Sequence, residues 1–325
     1  MIVAPPRGNA AAQEAFAAAL GSGSLHHAWL IAGPQGVGKG TFARHIGAAL
    51  LGGDPARHQS LIEAHSHPDY KVVEREIWEP NKSPPRLKPY GERSEADQPS
   101  RNIRIEQVRW LQPMLGMAPS LGTRRTIIID AVDDLERPGA NALLKNLEEP
   151  PHGTIFLLVS HAPGRLLPTI RSRCRLLRFE ALSDTDMRAV IRDAQPEASG
   201  EEVEALVAAG QGSPGRALRY AGLDVAGLDA ALSGIAGDGD PANARRVKLA
   251  RALAGKAAQP RYEAFLERVP AFIAGMARGR QGQALTTALD AYAAARDLAG
   301  SAIGLSLDPQ ATVLEMAGLI ARLHR

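Results

Sequence analysis

Cysteine is almost missing from this chain, with one in 325 residues, Cys174. That excludes an internal disulfide and a four-cysteine metal site, and a reducing compartment is the simplest expectation. Long apolar runs are missing too: none approaches the roughly 18 residues that a membrane helix needs. The opening residues Met1-Ile-Val-Ala-Pro-Pro-Arg7 lack the basic and apolar regions of a signal peptide, so a cytoplasmic protein with no membrane contact is expected. A strong charge of one sign is also lacking. Lys+Arg 38 against Asp+Glu 35 leaves +3, which argues against a surface that is basic all over but allows local basic patches. No fixed-period repeat is visible, which argues against a solenoid.

What is present is ordinary globular composition, 45% hydrophobic and 22% charged, over a length that predicts two or three domains. Residues 10–20 read as a helix. His27-Ala-Trp-Leu-Ile-Ala32 is a short apolar run entering the turn Gly33-Pro-Gln-Gly-Val-Gly-Lys39, after which Phe42, Ile46 and Leu50 recur at helical spacing. Further apolar runs at 70–73, 126–129, 154–159 and 176–179 read as strands. Those at 127–129 and 155–159 are continuous rather than alternating, as parallel strands covered on both faces require. Helical patterns lie between them, so residues 1–180 are expected to form one P-loop α/β domain with a parallel sheet. A Pro-rich stretch at 75–104, with five prolines and few aliphatics, reads as a mobile surface insertion. Beyond Leu182 the strand signal vanishes. Residues 181–222 are expected to form a small helical domain and 223–325 a C-terminal all-α domain, with turn signals at 210–215, 237–241, 259–260 and 307–309.

The glycine loop nearly matches G-x-x-x-x-G-K-[ST]. In such a loop the glycines let backbone amides approach phosphate oxygens, the lysine reaches the β and γ phosphates, and the hydroxyl holds Mg²⁺. Gly33, Gly36, Gly38 and Lys39 are in place, but the hydroxyl position is Gly40, with Thr41 one residue later. Asp130 ends the run Thr126-Ile-Ile-Ile-Asp130 where a magnesium-ordering carboxylate belongs, yet Ala131 follows where a hydrolase carries a general-base glutamate. Asp133 and Asp134 read as helix caps. Asn141-Ala-Leu-Leu-Lys-Asn-Leu-Glu-Glu-Pro-Pro151 reads as a short amphipathic helix, with Leu143, Leu144 and Leu147 inward, stopped by its prolines. Arg165, Arg171, Arg173, Arg175 and Arg178 fall within fourteen residues that contain no acid, which by composition alone is a solvated face.

Taken in order, Gly33-Pro-x-Gly-Val-Gly-Lys39, His65-Ser-His-Pro-Asp69, Asn141-Ala-Leu-Leu-Lys-x-Leu-Glu-Glu-Pro-Pro151, Leu167-Pro-Thr-Ile-Arg-Ser-Arg-Cys174 and Gly212-Ser-Pro-Gly-Arg-Ala-Leu218 closely resemble the clamp-loader subunits of bacterial DNA polymerase III. The similarity is dense from about residue 26 to 220 and thin beyond. It implies an AAA+ (RecA-like) domain, a helical lid and a helical collar in a five-subunit ring. Implied partners are the gamma or tau and delta loader subunits, with the sliding clamp and primed DNA reached through the complex. It implies too that Arg173 reaches into a neighbouring subunit's ATP site as an arginine finger, where a guanidinium stabilises charge during phosphoryl transfer.

Three departures from the active-ATPase pattern stand out: Ala131, Gly40, and Gly215 where an active lid would carry its sensor arginine, with Arg216 one position later. Together they favour a subunit that no longer turns over ATP. Its nucleotide site, Gly33, Gly36, Gly38, Lys39, Thr41 and Asp130, is degenerate, with ATP or ADP binding doubtful and no cofactor required. Many members of the family it resembles carry a four-cysteine zinc module after the P-loop helix. Here that stretch holds His58, His65 and His67 without cysteine, a poor zinc site, and no metal is expected. Residues 244–280 carry nine Lys/Arg against Glu263 and Glu267, a local net of +7, with Arg245, Lys248 and Arg251 on one side of a helix. A solvated or inter-subunit face fits this better than a DNA strip, because no aromatics are interleaved. Two alternatives stay open. One is an active loader ATPase, favoured by Lys39 and Asp130. The other is a nucleoside monophosphate kinase, whose loop tolerates glycine after the lysine.

Overall fold

The computed structural model describes residues 6–23, 25–79, 86–88 and 99–324. Two compact units divide the chain, Met1–Asp186 and Met187–Arg325. The first is built on five parallel strands, β1 Ala28–Ala32, β2 Tyr70–Glu74, β3 Arg125–Asp130, β4 Thr154–Ser160 and β5 Arg175–Arg178, in the order β2-β3-β4-β1-β5. Helices α1 Ala10–Gly21, α2 Lys39–Ala49, α3 Pro55–Glu63, α4 Ile105–Arg109, α5 Gln112–Leu115, α6 Arg137–Glu148 and α7 Pro168–Arg171 accompany the sheet. Every residue of β1 and β4 is buried, and so are the first five of β3, which accounts for their unbroken apolar runs.

Alternation along the strands supplies two cores. Leu30, Ile127, Ile129, Phe156 and Leu158 point to one face and pack with Leu143 and Leu147 of α6. Trp29 points to the other, where Phe16 of α1 meets its ring edge-on at 5.0 Å and Phe42 of α2 lies 5.9 Å from Phe16. Such buried rings contribute apolar area that fastens α1 and α2 to the sheet. The strand β5 is an edge, and its exposed Arg175 and Arg178 discourage pairing with another strand.

The Pro-rich stretch is anchored at its ends. Glu79 N–H donates to Arg86 C=O (2.8 Å) and Lys88 N–H to Ile77 C=O (2.9 Å), an antiparallel ladder around Trp78 and Leu87. Trp78 also lies 5.5 Å from Trp110 and under the Arg104 guanidinium. The expected mobile insertion is thus a packed ladder where it is described; its residues 80–85 and 89–98 lie outside the described residues.

The second unit is helical: α8 Asp184–Ala194, which starts at the boundary, α9 Gly200–Gly210, α10 Pro214–Arg219, α11 Val225–Asp238, α12 Ala244–Leu253, α13 Gln259–Ala277, α14 Gly282–Gly304 and α15 Pro309–Ala321. Its core joins Leu228, Leu232 and Ile235 of α11, Phe265, Val269 and Ile273 of α13, and Val313, Met316 and Ile320 of α15. α14 packs on α13 and buries Ala288, Ala291 and Ala295, small residues that let two helices approach closely.

Candidate functional site

In an open parallel sheet the ligand crevice lies outside the carboxyl ends of the strands, where the strand order reverses. β1 sits between β4 and β5, and the glycine loop leaves its end. Gly33 donates to Ser160 C=O (3.2 Å), and a Cβ on it would lie 2.0 Å from the Phe179 carbonyl oxygen, so only glycine fits between the neighbouring strand ends. Gly36 and Gly38 have φ of 79° and 95°, left-handed backbone that glycine adopts freely, and Gly38 caps α2.

Lys39 is buried, and its ammonium donates to Gly33 C=O (2.7 Å) and Pro34 C=O (2.5 Å), the loop's own carbonyls. Burial draws its pKa down to about 8, against the opposing pull of Asp130 and Asp133. Thr41 is exposed on the first turn of α2. Asp130 ends β3 as expected, but its partner is a residue that the motif did not name. Arg44 of α2 donates through Nη1 to Asp130 Oδ2 and through Nη2 to Glu74 Oε2, each at 2.7 Å. The register pairs Glu74 with Asp130, so the two carboxylates end adjacent strands and share one guanidinium. Glu74 has its pKa raised, by burial first and by Asp130 among the charges, while Arg44 opposes the rise.

The fold implies a magnesium–nucleotide here, and these residues do not fit one. Gly40 supplies no hydroxyl, and a Cβ at that position would fall 2.4 Å from Asp130 Oδ2 and 2.9 Å from Arg44 Nη1. Ala131 is buried and offers no base. Asp133 does not cap a helix, contrary to expectation. It accepts from Ser160 Oγ (3.0 Å), His161 N–H (2.6 Å) and Ala162 N–H (3.1 Å), tying the end of β3 to the turn after β4. Asp134 instead pairs with Arg75 at 3.2 Å.

Arg173 follows α7. Its guanidinium is half-buried, donates to Thr169 C=O (2.9 Å) and pairs with Glu148 Oε1 at 2.7 Å. Those partners all come from α6 and α7, and no P-loop residue is among them. Cys174 packs against the sheet core, and burial pushes its thiol up to about 12, so it is an inert apolar neighbour rather than a nucleophile. Among the other arginines of the cluster, Arg175 lies over the Trp29 ring, 5.1 Å from its centroid.

The His65-Ser-His-Pro-Asp69 segment proves to be a fastening. Asp69 is fully buried: Oδ2 accepts from Ser120 N–H (2.7 Å) and Leu121 N–H (2.8 Å), and Oδ1 from Arg125 Nη2 (3.2 Å). Arg125 in turn donates to the carbonyls of Met114, Met117 and Ala118. The pair therefore pins residues 114–121 to the start of β3. Beside it Asp69 N–H donates to His67 Nδ1 (3.0 Å), His67 Nε2 lies 2.7 Å from His58 Nδ1, and His58 Nε2 reaches Gly52 C=O. One tautomer set satisfies every contact with both rings neutral: each donates from Nε2 and accepts at Nδ1. Among the described residues no His/Cys/Asp/Glu group of three has metal-holding geometry.

In the second unit Ser213 caps α10 by accepting from Arg216 N–H (3.2 Å), and Arg216 reaches Gln211 Oε1 (3.1 Å). Four of the nine basic side chains of residues 244–280 pair with acids that lie outside that stretch. Arg245 pairs with Asp238, Arg246 with Asp240, Arg261 with Asp224 and Arg268 with Asp229. The local net of +7 overstates this surface, because its acidic partners lie outside residues 244–280.

A parallel sheet with β1 between β4 and β5, a glycine loop opening α2 and an acid at the end of β3 define a protein of the P-loop α/β class. The family model described as "DNA polymerase III, delta subunit" matches residues 8–183, and the chain belongs to that family. The DNA polymerase III subunit delta' of Pseudomonas aeruginosa is 36% identical over 66% of this chain and 61% of its own length. The Escherichia coli subunit delta' is 31% identical over 50% of this chain and 45% of its own. Subunit gamma of Buchnera aphidicola from Schizaphis graminum is 32% identical over 51% and 41%. The matches thus span about half of these relatives' lengths. Among the described residues no helix is long and apolar enough to cross a membrane.

Proposed function

We propose that this chain is the delta' subunit of a DNA polymerase III clamp loader, a ring subunit that turns over no ATP itself and lends Arg173 to a neighbour's ATP site. In this reading residues 181–222 act as the lid and 223–325 as the collar. The partners are the gamma or tau and delta subunits, and through them the sliding clamp and primed DNA. Delta' relatives support the assignment, and one observation carries the mechanism. Arg173 is a half-exposed guanidinium held by Thr169 and Glu148, while Gly40 and Ala131 leave its own site without the hydroxyl and the base that hydrolysis needs. A guanidinium delivered beside a γ-phosphate stabilises charge on the transferring group without its own subunit hydrolysing anything.

The test is Arg173→Ala in a reconstituted loader. The isolated chain should fold as before, and DNA-stimulated ATP hydrolysis and clamp loading should fall. Unchanged rates would rule out the role in trans. An active ATPase gains from the retained Lys39, and steady ATP turnover by the isolated chain would favour it over the present reading.

A further inference from the structure

P-loop proteins hold magnesium between the hydroxyl after the lysine and the acid ending a neighbouring strand. In this chain both positions are altered in a concerted way. Gly40 has no side chain, and Arg44 stands one helical turn further along α2. Residues i and i+4 share a helix face, and side chains lean toward the N-terminus, so Arg44 extends over Gly40 toward the strand ends. There its fork meets Asp130 and Glu74, both at 2.7 Å. The absence of a Cβ at residue 40 is what makes room, since any Cβ would collide with the Asp130 carboxylate and Arg44 Nη1.

We infer that Arg44 is a built-in replacement for the divalent cation: its guanidinium holds Asp130 and Glu74 permanently, so the loop admits no magnesium–nucleotide and keeps its shape without one. Arginine suits this role because it does not lose its proton at any physiological pH and presents parallel donors to two carboxylates at once. To enter, a magnesium ion would have to strip the guanidinium from both acids and find a hydroxyl that is missing. Lys39, bonded to the loop's own carbonyls, closes the remaining polar demand. This inference stands apart from the ring role: loading that depends on Arg173 is compatible with either result below.

The experiment uses Mn²⁺ as a paramagnetic probe, titrated with ADP into the full-length chain and followed by EPR. Adding wild-type protein should leave both the free Mn²⁺ signal and the Mn²⁺–ADP signal as they are without protein. Arg44→Ala combined with Gly40→Thr should bind Mn²⁺–ADP at least about tenfold more tightly than wild type. Uptake of Mn²⁺–ADP by the wild type, reversed by excess Mg²⁺, overturns the inference, and so does a folded double variant with no gain. Should the double variant not fold, melting in EDTA decides. Wild-type protein should melt at one temperature in EDTA and in Mg²⁺, whereas Arg44→Gln should melt lower in EDTA and be partly rescued by Mg²⁺. An Arg44→Gln protein that melts like the wild type in EDTA would be equally fatal.

Discussion

Arg173 and Glu148 form an ion pair of 2.7 Å that joins the arginine-rich segment after α7 to the last turn of α6. Two sequence blocks that look independent, the Leu-Glu-Glu-Pro-Pro stop and the Ser-Arg-Cys run, are therefore one constellation. Glu148 thus holds Arg173 in this structure.

That anchor makes a prediction opposite in sign to loss of the arginine itself. Exposed pairs of this kind contribute about 0–1 kcal/mol, so Glu148→Gln should barely change the melting temperature of the isolated chain. In a reconstituted loader it should leave DNA-stimulated ATP hydrolysis equal to or above the wild-type rate, whereas Arg173→Ala lowers it. A Glu148→Gln loader as slow as Arg173→Ala would mean that Glu148 positions the arginine rather than parking it.

Asp69 and Arg125 present the contrasting case, a pair with almost no access to water. Removing one partner leaves a buried charge without compensation, which costs about 3–5 kcal/mol. Asp69→Asn should therefore shift urea unfolding strongly toward lower denaturant and expose residues 114–121 to early hydrogen exchange. A shift worth under about 1 kcal/mol would show that the carbonyls around Arg125 suffice without the carboxylate.

His67 makes stability depend on acidity. Burial first, and then the neighbouring His58, hold the His67 pKa below its ordinary 6.5. As pH falls through 6.5 the unfolded chain takes up a proton before the folded chain does, so the folded state loses stability from there down through the lowered value. His27 and His161, also lowered chiefly by burial, act in the same direction. Unfolding free energy measured between about pH 5 and 8 should decline toward acid, and His67→Gln should flatten part of that decline. A variant with the full wild-type slope would place the dependence elsewhere.

Much of the architecture was legible because its causes are local. Continuous aliphatic runs marked β3 and β4, helical spacing marked α2 and α6, and Gly-Pro signals marked the ends of α9 and α11. That Lys39 opens α2 and Asp130 ends β3 was legible for the same reason: glycine loops and strand-end acids announce themselves within a few residues. Arg44 and Glu74 were missed. Each looks like a surface charge in isolation, and the usable signals were the four-residue step from Gly40 to Arg44 and the acid at the end of β2. Asp133 was misread as a cap because its acceptor role depends on backbone amides of residues 161 and 162. The positive charge of residues 244–280 is offset in part by Asp224, Asp229, Asp238 and Asp240, acids that precede that stretch in the chain and meet it only in the fold.

The sequence by itself determined which segments become strands and helices, that they assemble as a P-loop α/β unit followed by helices, and which family the motif order belongs to. Periodicity, caps and turn residues act over one or two turns of chain, so they survive reading in one dimension. Tertiary structure alone decided which charges meet. Arg44 and Asp130 are 86 residues apart, and a hydrogen bond of 2.7 Å exists only once β2, β3 and α2 have been brought together. Ion pairs and hydrogen bonds fall off within a few ångströms, so the identity of a charge is written in the chain while its partner is written in the fold.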